Sequence, residues 1–521
     1  MRAVVWLSLA ACGAVLCTAA AASALLTVLA FIPIFNIIAI PSLIGSLLLL
    51  IHTLPFATYL LLAQTDAPKH KGTLFLPFSP SRHLGILVAV SSYLRAVITL
   101  APKFVLTVIR TAWELWRLPP PDDRSERPEL SYSATTGWWW NRYASFGVKY
   151  QKPRRQGVAC RLDIFRAQPS DSASLSCSPD GEGLHASPRS SGSFVTLPDV
   201  DPGSRVDLSD FPQHIWSQVP MGSPIEEENS NLRPVVVFLY DVGMMGPIHP
   251  RRWMFSLNGL LLAKQGYVAV IPDITTYPTG QMADMVADVR ATLAWVHAEI
   301  RNYGGDPSRI FLCGHGLGAH LGMYTIAQDV VVHSRDKVEL HNAAVDWASR
   351  GYKPDPVTAV AGREIPNGVK ALRIYGSDVE LPPVKGVILL SPVADVIKQV
   401  RHEARCWLEH VSPLRRSLGS SQTRCMRHSL GHILFAAKDI VDVNLLPHSA
   451  LILHGKSNQL VPEWQGTWLA ELLRGFDFDV TLQAYSRLGH FDVVTNLMAG
   501  FESRSTPFLL EEIRSFIDSS A

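Results

Sequence analysis

The hydrophobic and polar positions divide the chain sharply. Residues 3–64 hold no Asp, Glu, Lys or Arg and are mostly Leu, Ile, Val, Ala and Phe. A bilayer-spanning helix takes ~20 apolar residues, so the run has room for two. Pro33 and Asn36 offer a break, which predicts spans over 4–31 and 37–62. The first stretch also has the layout of a secretory signal: Arg2, an apolar core, then small residues at 19–24. Apolar sequence continues past any such cleavage point, so a retained anchor is expected. A third apolar segment, 84–116, carries Arg95, Lys103, Arg110 and Pro102. Each mid-span charge costs ~2.5–3.5 kcal/mol on insertion scales, which predicts an interfacial or re-entrant segment.

Residues 65–135 read as a membrane-proximal segment that ends in the Pro-rich, charged linker 117–135. Three Trp at 138–140 suit either a membrane-interface belt or packing beneath the following domain. From 136 to 521 the pattern becomes that of a folded domain. Residues 148–165 suggest a hairpin. The stretch 168–231, rich in Ser, Pro, Gly and Asp at its start, reads as a disordered insertion. Apolar, β-branched runs at 234–240, 267–272, 309–313, 386–391, 450–454 and 479–485 then read as strands. Between them, 252–265 and 281–303 read as helices; Met285, Val289, Leu293, Val296 and Ile300 recur at helical spacing. Strands alternating with helices predict a mostly parallel sheet covered on both faces. Long inserts at 331–383 and 396–445 read as lid-like.

The run 309–324, RIFLCGHGLGAHLGMY, is the centre of this domain. A short strand meets Gly314-x-x-x-Gly318 and then a small-residue helix. That is the layout of a nucleophile elbow, which lifts one side chain above an α/β-hydrolase sheet. The outer glycines suit a crossing too close for a Cβ. The central position, where Ser, Cys or Asp would attack a carbonyl, is Gly316.

Composition narrows the partners. A net charge of +2 gives no reason to expect nucleic acid, and the short basic clusters at 69–71 and 152–155 read as membrane-interface or topology signals. The seven cysteines show no zinc-type spacing, and no metal or other cofactor is expected.

An ordered series of segments carries a family resemblance: PVVVFLYDVGMMG, LAKQGYVAVIPDITTYP, DMVADVRATLAWVHAEIRNYGGDPSRIFLCGHGLGAHL, LILHGKSNQLVP and YSRLGHFDVV. Together they resemble the esterase branch of the α/β-hydrolases, in particular the membrane-anchored prenylcysteine methylesterase-like proteins. The resemblance implies an α/β-hydrolase fold behind N-terminal transmembrane helices, carboxylic ester hydrolysis, and a lipidated or ester ligand. It places the base at His490, the nucleophile at Gly316 and the acid at Asn458, in His454-Gly455-Lys456-Ser457-Asn458. It places the oxyanion loop at Asp241, Val242, Gly243 and Leu317.

Nucleophile, acid and oxyanion loop all depart from the family pattern. An Asp-to-Asn change in a triad typically costs ~10⁴ in turnover, and a carboxylate at Asp241 would oppose a developing oxyanion. Asp395, after the sixth strand, is an alternative acid. Cys313, His315 and His320 flank the elbow, and all three suit structural roles better than catalytic ones. The expected protein is an integral membrane pseudo-hydrolase at an endomembrane (ER or Golgi), its domain facing the cytosol. Its partners would be the bilayer and a lipid-like or protein ligand. An active esterase with an unusual site and a purely structural scaffold are the alternatives.

Overall fold

The computed structural model describes residues 2–60, 80–88, 90–91, 105, 109, 144–150, 160–166, 232–242, 250–277, 279–349, 363–406, 412, 414–418, 421–500 and 503–520. The tryptophan cluster, the linker, the insertion at 168–231, both basic clusters and most of the third apolar segment lie outside them.

Two N-terminal helices, α1 (Arg2–Leu29) and α2 (Asn36–Tyr59), pack against each other and are long and apolar enough to cross a membrane. Within this apolar pair the Ser23 and Ser46 hydroxyls bond across the helices at 2.8 Å. That satisfies two polar groups that lipid cannot.

The domain is built on one eight-stranded sheet of order β1-β2-β4-β3-β5-β6-β7-β8. Its strands are β1 (Ala144–Tyr150), β2 (Cys160–Phe165), β3 (Arg233–Leu239), β4 (Val268–Pro272), β5 (Gly305–His315), β6 (Gly386–Leu390), β7 (Ser449–Gly455) and β8 (Asp479–Tyr485). β1 and β2 form the expected hairpin, and β2 pairs antiparallel with β4. Every pairing from β4 through β8 is parallel. β4 and β6 are buried at every position, whereas β8, at the edge, alternates exposed and half-buried residues. That contrast follows from central strands being covered on both faces.

The flanking helices are α3 (Ser256–Lys264), α4 (Met282–Glu299), α5 (Leu317–Ser349), α6 (Val396–Arg405), α7 (Gln422–Arg427), α8 (Leu430–Ala437), α9 (Trp464–Arg474) and α10 (Thr506–Ser519). The five periodic positions of 281–303 are all buried. Removing each such aliphatic side chain from water contributes roughly 1.5–3 kcal/mol.

One expectation changes here. The first part of the 331–383 insert is not a lid; it continues the elbow helix α5, because Val331, Ser334 and Val338 extend its buried stripe. Between β6 and β7 the second insert is helical, made of α6, a short helix at Leu414–Leu418, α7 and α8, and is called the cap below.

Candidate active site

Four strand ends meet at one place. β3 and β5 are paired, with Leu239 opposite Gly314, so the residues that follow them, Asp241 and Gly316, are neighbours. β7 and β8 are paired to Gly455 and Tyr485, which brings out the loops of Asn458 and His490 side by side. Carboxyl-end crevices of this kind are where open α/β sheets bind ligands.

The elbow is tight. A Cβ on Gly318 would lie 2.3 Å from the Tyr240 carbonyl oxygen, and one on Gly314 would lie 2.5 Å from Ala319 Cα. Gly316 itself has φ +56°, the left-handed turn between strand and helix, and its N–H donates to Leu390 O at 2.8 Å. A Cβ on Gly316 would lie 2.3 Å from Asp241 Oδ2 and 3.1 Å from His490 Cε1. The volume that a nucleophile's side chain would take is therefore filled by a carboxylate.

The hydrogen bonds around His490 fix its tautomer. Asn458 Oδ1 accepts from the Leu460 and Val461 amides at 3.0 and 2.9 Å. Its amide nitrogen must then be the atom that donates to His490 Nδ1, at 3.1 Å. Nδ1 is thereby the ring's acceptor, and Nε2 carries the proton and donates it to Asp241 Oδ2 at 2.9 Å. A triad base needs the reverse: Nδ1–H held by a carboxylate and an Nε2 lone pair facing the nucleophile. Asp241 and His490 are 0% and 2% exposed, so water does not screen their contact.

His315 supports this arrangement from beneath. Burial, with His490 next, pushes its pKa down to about 3. Its Nε2–H donates to the His490 carbonyl at 2.9 Å, and the two rings lie 4.5 Å apart. Among the described residues Asp241, His315 and His490 offer atoms within 4.8 Å of one another that could ligate a cation. They do not fit one. His490 Nε2 has no lone pair to give, and a metal there would move the proton to Nδ1, against the Asn458 amide.

The remaining sequence candidates fall as follows. Asp395, the alternative acid, is engaged at the start of α6. Its Oδ1 accepts from the Lys398 amide at 2.9 Å as the N-cap of α6, and its own amide donates to Gln465 at 2.8 Å. Val242 is buried behind Asp241, Leu317 opens α5, and Gly243 lies outside the described residues. Cys313 is sealed in the core, and burial pushes its thiol up to about 12, so it is no nucleophile. His320 lies between the carbonyls of Val393 and His428; burial keeps its ring neutral, so its single N–H donates to one of them, packing the elbow helix against the cap. Sequence reasoning missed Glu403, a buried carboxyl on α6. Burial first, and the Asp241 charge in addition, push its pKa up to about 7.

Residues 224–351 match the BD-FAE family model. The sheet order and the glycine elbow are those of an α/β-hydrolase fold, and that match supports the esterase type. Within that class, the chain is similar to the prenylcysteine methylesterases. It is 34% identical over 111 residues to a probable isoprenylcysteine alpha-carbonyl methylesterase of Arabidopsis thaliana, covering 21% of this chain and 26% of that protein. It is 40% identical over 60 residues to the probable carboxylic ester hydrolase LipM of Mycobacterium tuberculosis, covering 12% and 14%. These matches span about a quarter or less of the relatives' lengths. Among solved structures, esterase B from Lactobacillus rhamnosis is similar at TM-score 0.42 and 12% identity, over 82% of this chain and 96% of that one. A hyperthermophilic esterase from the archaeon Pyrobaculum calidifontis is similar at 0.41 and 14%, over 73% and 86%.

Proposed function

We propose that this chain is a membrane-anchored α/β-hydrolase that no longer hydrolyses esters and acts by binding. One observation carries the reading: the Asn458–His490–Asp241 chain of hydrogen bonds runs in the wrong direction for catalysis and ends in the space a nucleophile would need. A base with its proton on Nε2 cannot accept one from an attacking group there.

For the ligand we propose the class that the relatives' names suggest, the methyl ester of a prenylated cysteine. The buried carboxylate of Asp241 favours a neutral ester over the free acid as a neighbour, since like charges repel most where water is excluded. The α1–α2 pair supports anchoring in a bilayer, for which an endomembrane with the domain on its cytosolic side is our proposal. Alkaline carbonate should leave the full chain in the membrane pellet.

The test uses the purified full chain in detergent. We expect no release of p-nitrophenol from short acyl esters and no labelling by a fluorophosphonate. Saturable binding of a farnesylcysteine methyl ester, weaker for its free acid, should be seen. Ester hydrolysis by the natural protein that disappears in His490→Ala would overturn the reading.

A further inference from the structure

The cap carries an unusual charge. Residues 396–427 hold seven Lys or Arg against two Glu, a formal +5, whereas the whole chain is +2. Of the two acids, Glu403 is buried and Glu409 lies outside the described residues. Helix α6 sorts its residues by face. Val396, Gln399 and Glu403 are buried, while Lys398, Arg401 and Arg405 are exposed at three- and four-residue spacing along the opposite side. Helix α7 packs against α6 and adds exposed Arg424 and Arg427.

Apolar groups are interleaved with these cations. Lys398 Nζ lies 5.4 Å from the Trp464 ring and 5.1 Å from Trp468 on α9, and Lys438 Nζ lies 5.4 Å from the Phe435 ring on α8. Phe435 is 62% exposed, Met426 42% and Trp464 38%. Helices α8 and α9 are in contact, since a Cβ on Gly431 would lie 2.0 Å from the Trp468 ring. Lys398 and Lys438 thus lie against aromatic rings, on helices in contact with those that carry the exposed arginines.

We propose that this cap surface, built on Lys398, Arg401, Arg405, Arg424 and Arg427 with Trp464 and Phe435, docks on anionic lipid headgroups of the anchoring membrane. The inference rests on the membrane-anchored reading above. Basic side chains meet the negative surface potential of the bilayer, and each near the surface multiplies association on the order of fivefold. Aromatic rings suit the headgroup boundary, which favours lipid over an acidic protein as the occupant. Anchoring makes the encounter intramolecular, so weak headgroup contacts suffice. Docked this way, the cap meets the membrane in which a prenylated ligand would be dissolved.

The test reconstitutes the full chain in nanodiscs of phosphatidylcholine alone or with about 30% phosphatidylserine. Amide hydrogen exchange is read over α6 and α7. We expect exchange there to slow at least ~5-fold in the anionic discs. Raised salt should remove the slowing, and so should the triple variant Arg401→Glu, Arg405→Glu, Arg424→Glu. Equal exchange in both lipids, or slowing that survives in the triple variant, would overturn docking alone. A chain that does not enter discs at all would overturn docking and the anchor together. Slowing produced by an acidic polypeptide but not by anionic lipid would assign the surface to a protein and overturn the proposal.

Discussion

Serine at position 316 is the change that would restore a nucleophile to the elbow, and the structure says what it would meet. The new Cβ would lie 2.3 Å from Asp241 Oδ2 and 2.8 Å from its Cγ, so the carboxylate must move. Moving it breaks a buried contact with His490 and stresses a well-packed site, at a cost of ~1–3 kcal/mol for overpacking. The left-handed backbone at Gly316, φ +56°, adds roughly 1–2 kcal/mol for a residue with a Cβ. A total of about 3 kcal/mol lowers the unfolding midpoint of a domain this size by roughly 4–5 °C. Gly316→Ser should therefore be less stable and should not label with a fluorophosphonate. Adding Asn458→Asp changes the tautomer, because one oxygen keeps the Leu460 and Val461 amides while the other accepts Nδ1–H. It does not clear the site, so the pair should stay silent too. Activity requires Asp241→Gly as well. The triple variant should label, and should exceed the Gly316→Ser, Asp241→Gly pair by up to ~10⁴ in rate, the usual worth of the triad carboxylate. Scanning fluorimetry and a fluorophosphonate gel read both halves. If Gly316→Ser alone keeps the natural midpoint and labels, Asp241 does not fill the nucleophile's place and the reasoning is wrong.

Three other outcomes are expected. Gly318→Val should destabilise the domain by about 3 kcal/mol or more, since its Cβ would strike main-chain carbonyls that cannot rotate away; an unchanged melting midpoint would count against the tight crossing. Glu403→Gln should stabilise the protein near pH 8 and do so less toward pH 4.5. A carboxyl raised to about 7 contributes stability below its unfolded value and loses it as pH rises through its folded value, which pH-dependent denaturation can follow. Asp395→Ala should cost ~1 kcal/mol through the lost cap of α6 while leaving the exchange of the His490 ring protons, seen by NMR, unchanged; an altered His490 signal would restore Asp395 as its partner.

Much of the fold is legible in the sequence because its signals are local. β-branched runs mark β3 to β7, and the Gly314–Gly318 spacing marks the elbow before any contact is known. The vacancy at Gly316 and the Asn at 458 are legible for the same reason, since each is one residue within a recognisable string. What lies beyond reach is the direction of the hydrogen bonds. His490 and Asp241 are 249 positions apart, and the tautomer follows from two amides, Leu460 and Val461, whose aim is set by the turn after β7. Asp395 is a different case. Asp followed by an amphipathic stretch is an N-cap signal, and reading it that way would have removed it from the list of acids. The length of α5 was obscured by its polar solvent-facing residues, which break up the buried stripe of Val331, Ser334 and Val338.

The carboxylate of Asp241, where it now lies, and a side chain at 316 compete for one volume, and that competition couples the two positions. A carboxylate placed like that of Asp241 fits best beside a residue 316 that has no side chain. Once gained, it turns a simple reversal at 316 into a damaging step, because serine would then clash before it could react. Three positions must change together for the chemistry to return, so each substitution's effect depends on the other two. On the proposed reading, the loss of hydrolysis behaves as a ratchet that packing reinforces.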